Sequence, residues 1–309
     1  IRATLRSRGL GDVYKRQVLN IEDLDLTGEG DGGATAITST AGTVRVNTTA
    51  GDITITELIN ATGQLATLNA DAGSINDNAP SDDGAPVNDI VSDSLALRAA
   101  NGVGAMSNRL EVNTATLAYT VGANGILLTD TAGGLTINNV DAIASSSSAG
   151  VTEITSATFL TVAHNVSSTG AMIMTAFDTA GAGDDLTVNT GIQVTSDAKI
   201  TLQAGDNLTL QDRSRVASGG GAGTTNNVVL NVETTVGSLP PGNADATGST
   251  VTLLGSIGDG TPDVTESEVN GGTDADLVIV YPQDRVGDPT DTMDAVNHEL
   301  ILNLAGCLL

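Results

Sequence analysis

The chain reads as an all-β protein, a right-handed parallel β-helix (β-solenoid) with about 23 residues per coil. Three observations lead there. Short segments alternate apolar and polar residues with a period of two. Gly, Asn and Asp punctuate them, supplying turn conformations. Comparable segments recur at two spacings, about eight and about 23 residues.

The alternation is plainest in GDITIT (51–56), GLTIN (134–138), DLTVN (185–189), KITLQ (199–203), NLTLQ (207–211) and TVTLL (250–254). Each puts two apolar side chains on one face and Thr on the other. Thr supplies 42 residues, a β-branched excess suited to strands, and no long window has helical periodicity. Aromatics are only 2%, so the core is expected to consist of Val, Ile, Leu and Ala.

Spacing organises the segments. The first apolar residues of successive pairs are Leu95, Leu117, Leu135, Leu160, Leu186, Leu208, Val229, Val251, Leu277 and Leu300, with gaps of 18 to 26 residues. Within one unit, Ile192, Ile200, Leu208 and Val216 stand eight apart, as three short strands per coil require. A β-sandwich array is the rival architecture. Short connections, few aromatics and the longer period argue against it. Residues 18–306 are therefore expected to form some twelve coils, a rod of roughly 60 Å at the usual strand spacing. Leu186/Val188, Ile200/Leu202 and Leu208/Leu210 should point inward, and Thr187, Thr201 and Thr209 outward.

Composition narrows the uses. Twelve basic residues face 37 acidic ones, a net charge of −25. Arg2, Arg6, Arg8, Lys15 and Arg16 crowd the first sixteen residues, so the rest is more acidic still. Such a surface repels phosphate, which excludes nucleic acid and anionic lipid as partners. No window approaches the roughly 18 apolar residues of a membrane span, so this segment is not expected to insert in a membrane. One Cys rules out a disulfide framework.

Residues 1–17 break from the acidic, Thr-rich pattern that starts at Val18. The string GDVYKRQ (11–17) resembles the translated adapter sequence found at the ends of metagenomic fragments, and Cys307–Leu309 is similar to the start of another. The expected organisation is a non-native leader (1–17), solenoid repeats (18–258), acidic C-terminal coils (259–306) and a non-native tail (307–309). The whole reads as an interior piece of a longer chain. Two segments interrupt the rhythm: 77–93 (DNAPSDDGAPVNDIVSD), read as a protruding loop, and 238–248, where Pro240 and Pro241 exclude a central strand.

The stretch GIQVTSDAKITLQAGDNLTL (191–210) resembles the degenerate repeats of filamentous-haemagglutinin-like exoproteins and of very large β-strand-repeat bacterial surface proteins. That resemblance implies a secreted or cell-surface stalk or adhesive scaffold, with a host-surface, glycan or matrix ligand as partner. It carries no site residues and implies no enzyme.

Two alternatives compete. GGTDADLVI (271–279) resembles the calcium-binding nonapeptide, with Asp276 at the ligand position and Asp274 replacing a glycine. AGAGDDLTV (180–188) is a looser match through Asp185. The candidate calcium ligands are thus Asp185, Asp274 and Asp276, with Asp259 and Asp263 nearby, and calcium is the only cofactor considered. A carbohydrate-active β-helix enzyme is the third reading. Its candidate acids, Asp82/Asp83 and Asp184/Asp185, are adjacent pairs whose side chains diverge on a strand. Acidic substrates would need basic residues, and after residue 17 only Arg45, Arg98, Arg109, Lys199, Arg213, Arg215 and Arg285 occur. Arg213 and Arg215 would share a face if extended. His164 and His298 lie near no Ser or Cys nucleophile in sequence and read as structural.

Overall fold

The computed structural model describes residues 19–20, 24–25, 35–78, 88–179, 182–219, 228–232, 250–257, 267–271, 278–280 and 300–304. Among these there is no helix, and every pairing between strands is parallel. The expectations for residues 1–17, 238–248 and 258–266, for Asp82, Asp83, Asp274, Asp276, Arg285 and His298, and for 307–309 lie outside the described residues.

From Thr152 onward the backbone visits three directions in turn. Thr152–Ser156, Leu160–Val162 and Val166–Ser168 make one circuit; Met172–Ala176, Leu186–Val188 and Gln193–Ser196 make the next. Each strand pairs with its counterpart one circuit later: Ile154 with Met174, Leu160 with Leu186, Val166 with Val194. Ile200, Leu208 and Val216, eight apart, fall on the three directions in succession. The result is a parallel, solenoid-like stack.

Alternation sends one side chain of each pair inward. Leu186, Val188, Ile200, Leu202, Leu208 and Leu210 are fully buried and belong to one core cluster running from Val44 to Leu253. Thr187 and Thr209 are half-buried outside it, as expected, but Thr201 is buried. On the outer face Thr201 is flanked in register by the larger Ile173 and Val229, which shield it.

The uniform 23-residue coil needs correcting. Ile154 meets Met174 after 20 residues, whereas Leu210 meets Leu253 after 43. Extra residues leave the stack between strands without disturbing register. Val229 does not continue the Leu208 column, because Leu208 pairs with Val251 while Val229 pairs with Thr201. Leu300 likewise pairs with Ser267, not with the column of Val251. The loop expected at 77–93 is shorter: Ile75–Asp77 and Ile90–Ala99 are strands.

One coil is irregular. Strand Leu110–Val121 pairs through Leu117 with Ile137 and through Val121 with Ser148, so a single column divides in two. The connecting residues fold over the outer face, and Val140 and Ile143 form an isolated antiparallel bridge. Both bury against Ala96 and Ala118, with Leu65 alongside, in a small second core. At the tip, Asp141 and Ala142 have φ of 47° and 66°, as a type I′ turn requires.

Candidate functional site

Acidic and amide side chains at the corners tie one coil to another. Asp52 Oδ1 accepts the Ser74 N–H at 2.7 Å, and Gln211 Oε1 accepts the Thr190 N–H at 3.1 Å. Asp185, a candidate calcium ligand, is used in the same way. Its Oδ1 accepts the backbone N–H of Asn207 at 3.1 Å and the Asn207 side-chain amide at 2.8 Å. Asp184 is buried, and its Oδ2 accepts the Thr179 N–H, so the two adjacent carboxylates bind different partners.

The acids that do converge were missed in the sequence. Asp77, Asp89 and Glu111 are all buried, and one carboxylate oxygen from each lies within 4.8 Å of the others. Asp77 ends the strand before the insertion, Asp89 precedes the strand after it, and Glu111 lies one coil beyond Asp89. Glu111 N donates to Asp89 Oδ2 at 3.0 Å, and Asp89 N donates to Glu111 O at 2.8 Å. Burial, reinforced by the charges of Asp77 and Glu111, pushes Asp89 far above the ordinary carboxyl range. The 22-residue step between Asp89 and Glu111 is a usable signal in the sequence, but Asp77 and Asp89 both fall within 77–93, which reads as a protruding loop.

Two chemistries relieve such crowding: a proton held on Asp89, or a cation shared by the three. Calcium takes six to eight oxygens, and three carboxylates can offer up to six. Among the described residues, no other group of three potential ligands comes as close, and Asp185 belongs to none.

A fourth acid, Asp130, is buried at the end of Gly125–Asp130. Oδ1 accepts the Thr114 N–H at 3.2 Å and Oδ2 the Ser156 hydroxyl at 3.4 Å. Burial outweighs these bonds and pushes its pKa up to about 7.

Four basic residues, Arg45, Arg98, Arg109 and Arg213, are engaged in ion pairs elsewhere. Asp141 binds Arg45 at 2.6 Å and Arg98 at 3.1 Å, and it accepts the Thr67 hydroxyl at 3.2 Å. Its hydrogen bond to Arg45 is the main reason its pKa falls to about 2. Arg109 pairs with Glu153. Arg213 has φ of 57° and pairs with Asp212, so it lies in a turn before Arg215 and the two do not share an extended face.

His164 has a partner that its sequence neighbourhood hides. The Ser146 hydroxyl lies 2.8 Å from its Nε2, and Tyr119 N donates to the same oxygen at 3.2 Å. Burial lowers the His164 pKa and so disfavours the charged ring, and the neutral ring pairs with Ser146 as acceptor or donor according to its tautomer. Ser146 is fully buried, so no substrate reaches its oxygen in this fold.

The chain matches no family model, no curated protein and no solved structure.

Proposed function

We propose that the chain is a non-enzymatic stalk or adhesive scaffold segment of a large secreted or cell-surface bacterial protein, built as a right-handed β-helix. The hand follows from the strong preference of parallel crossovers for right-handed connection. The carrying observation is the use made of the corner side chains. Asp52, Asp185 and Gln211 each bind the backbone of a neighbouring coil, and Ser168 and Ser196 donate to Gly150 O and Gly170 O at 2.6 and 2.7 Å. Polar groups thus maintain continuity along the stack. This suits a filamentous-haemagglutinin-like spacer holding a ligand-binding surface away from the cell.

Small-angle scattering on the full chain tests the reading. A particle of constant cross-section, roughly 50 Å or more long at the usual strand spacing, is expected. A compact sphere overturns it, as does release of reducing ends or unsaturated uronates from polysaccharides.

Asp77, Asp89 and Glu111 favour a second reading, a calcium-binding exoprotein module. Calcium at a hundredfold excess over its dissociation constant then stabilises the fold by about 2.7 kcal/mol relative to chelator, and Glu111→Gln removes the effect. Superimposable melting curves with and without calcium sink this reading. A shift abolished by Asp276→Ala instead assigns the ion to the C-terminal motif.

A further inference from the structure

We propose that Phe159 and the threonine rank beside it form a binding platform for neutral, pyranose-based glycan chains. The proposal rests on the adhesive-scaffold reading and gives it a ligand class and a place. Phe159 is one of only two Phe in the chain, and it is 42% exposed. Its ring lies over Gly134 on the neighbouring coil. A Cβ built on Gly134 would sit 2.1 Å from Cε1 and 2.3 Å from both Cδ1 and Cζ. Near-equal distances to three consecutive ring atoms mean that Gly134 meets the face of the ring, not its edge. The ring therefore lies flat on the sheet, leaving its other face toward solvent.

The surroundings suit a sugar. Thr136, Thr161, Thr187, Thr209 and Thr252 stand in register along the same column, half-buried, each presenting a hydroxyl and a methyl at strand spacing. Thr161 lies two residues from Phe159, on the same outer face. A pyranose resting its axial C–H bonds on the negative ring face would set its equatorial hydroxyls toward these threonines. Asp185, beside Phe159 on the next coil of the same column, turns its Oδ1 to Asn207. The charge beside the ring is the Asp185 carboxylate, which, on a protein of net charge −25, repels a uronate or sulfated chain and favours a neutral one.

Affinity electrophoresis of the full chain through gels containing a soluble β-glucan, a galactomannan or alginate tests the assignment. Retardation by at least one neutral polysaccharide is expected. Phe159→Ala and Phe159→Leu should each weaken it about tenfold or more, with Thr161→Val giving a smaller loss. Phe159→Leu keeps an aliphatic cover on Gly134, so an unchanged melting curve with lost retardation separates sugar binding from a purely structural role. No retardation in either neutral gel, retardation by alginate alone, or full retention by Phe159→Leu overturns the platform. None of these outcomes alters particle shape or polysaccharide turnover, on which the scaffold reading is judged.

Discussion

Replacing Asp130 by Asn should exchange stability at low pH for stability at high pH. Asp130 is fully buried, and its pKa is pushed up to about 7 from an ordinary value near 3.8. A carboxyl with a raised folded pKa holds its proton more tightly in the folded state. Its contribution is therefore fully present below the unfolded pKa and is lost as pH rises through the folded one. Three units at 1.36 kcal/mol each give about 4 kcal/mol as an upper bound on the loss between pH 4 and pH 8. Asn escapes that loss. It keeps an oxygen for the Thr114 N–H, and its amide can donate to the Ser156 oxygen, but one acceptor is gone, at a cost of about 1 kcal/mol.

The variant should then equal or fall slightly below wild type at pH 4 and exceed it at pH 8 by up to about 3 kcal/mol. Thermal or urea unfolding of both proteins at pH 4, 6 and 8 reads this directly. The difference between them removes the contribution of every other acid. A difference that stays constant from pH 4 to pH 8 would refute the reasoning, because Asp130 would then ionise alike in the folded and unfolded chains.

Three further outcomes follow from the geometry. Ala142→Gly should raise the melting temperature, since a left-handed Ala at φ 66° costs about 1–2 kcal/mol and Gly does not incur it; a lower melting temperature contradicts the strained turn. Asp141→Ala should cost about 1–2 kcal/mol, less at high salt. Because the folded pKa of Asp141 is depressed to about 2, its contribution in wild type is present above pH 4 and lost as pH falls through about 2, which an acid titration of unfolding checks. Gly122→Ala should destabilise by about 1–3 kcal/mol or more, because its Cβ would lie 1.8 Å from the Ala100 carbonyl oxygen, a backbone atom. At Gly63 nothing lies within 4 Å, so Ala there incurs only the left-handed penalty, and equal losses at the two sites would discount the close approach of the coils.

Local patterning was legible in the sequence because strand alternation is a one-dimensional property. The pairs around Thr187 and Thr209 turn the way the sequence indicates, and the eight-residue step from Ile200 to Leu208 to Val216 is one circuit. Which column a strand joins was less legible. Segments 208–210 (LTL) and 228–230 (VVL) both carry apolar residues at the first and third positions, which does not say which column each joins. Long excursions erase the count that would have separated them, as the 43-residue step from Leu210 to Leu253 shows. The converging groups were hidden for the same reason. Asp89 and Glu111, Ser146 and His164, and Arg45 and Asp141 are 22, 18 and 96 residues apart, and only the three-dimensional register brings them together.

Those long-range polar contacts explain how a sequence of near-identical rungs selects one register. Leu, Val and Ile stacked on Leu, Val and Ile have little preference for one neighbour over the next, and a slip by a whole coil would bury almost the same apolar area. Polar contacts that occur once remove that degeneracy. Asp141 reaches Arg45, Thr67 and Arg98 together only when the connection after Ile137 lies across those particular rungs. Asp130 meets both Thr114 and Ser156 only if its strand lies between theirs. Buried polar groups contribute little net energy when satisfied but cost several kcal/mol when stranded, so each is a penalty against slipped stacks more than a gain for the native one. Both Asp130 and Asp141 lie close to the coil where one column becomes two, so slipping the stack there would strand two carboxylates at once.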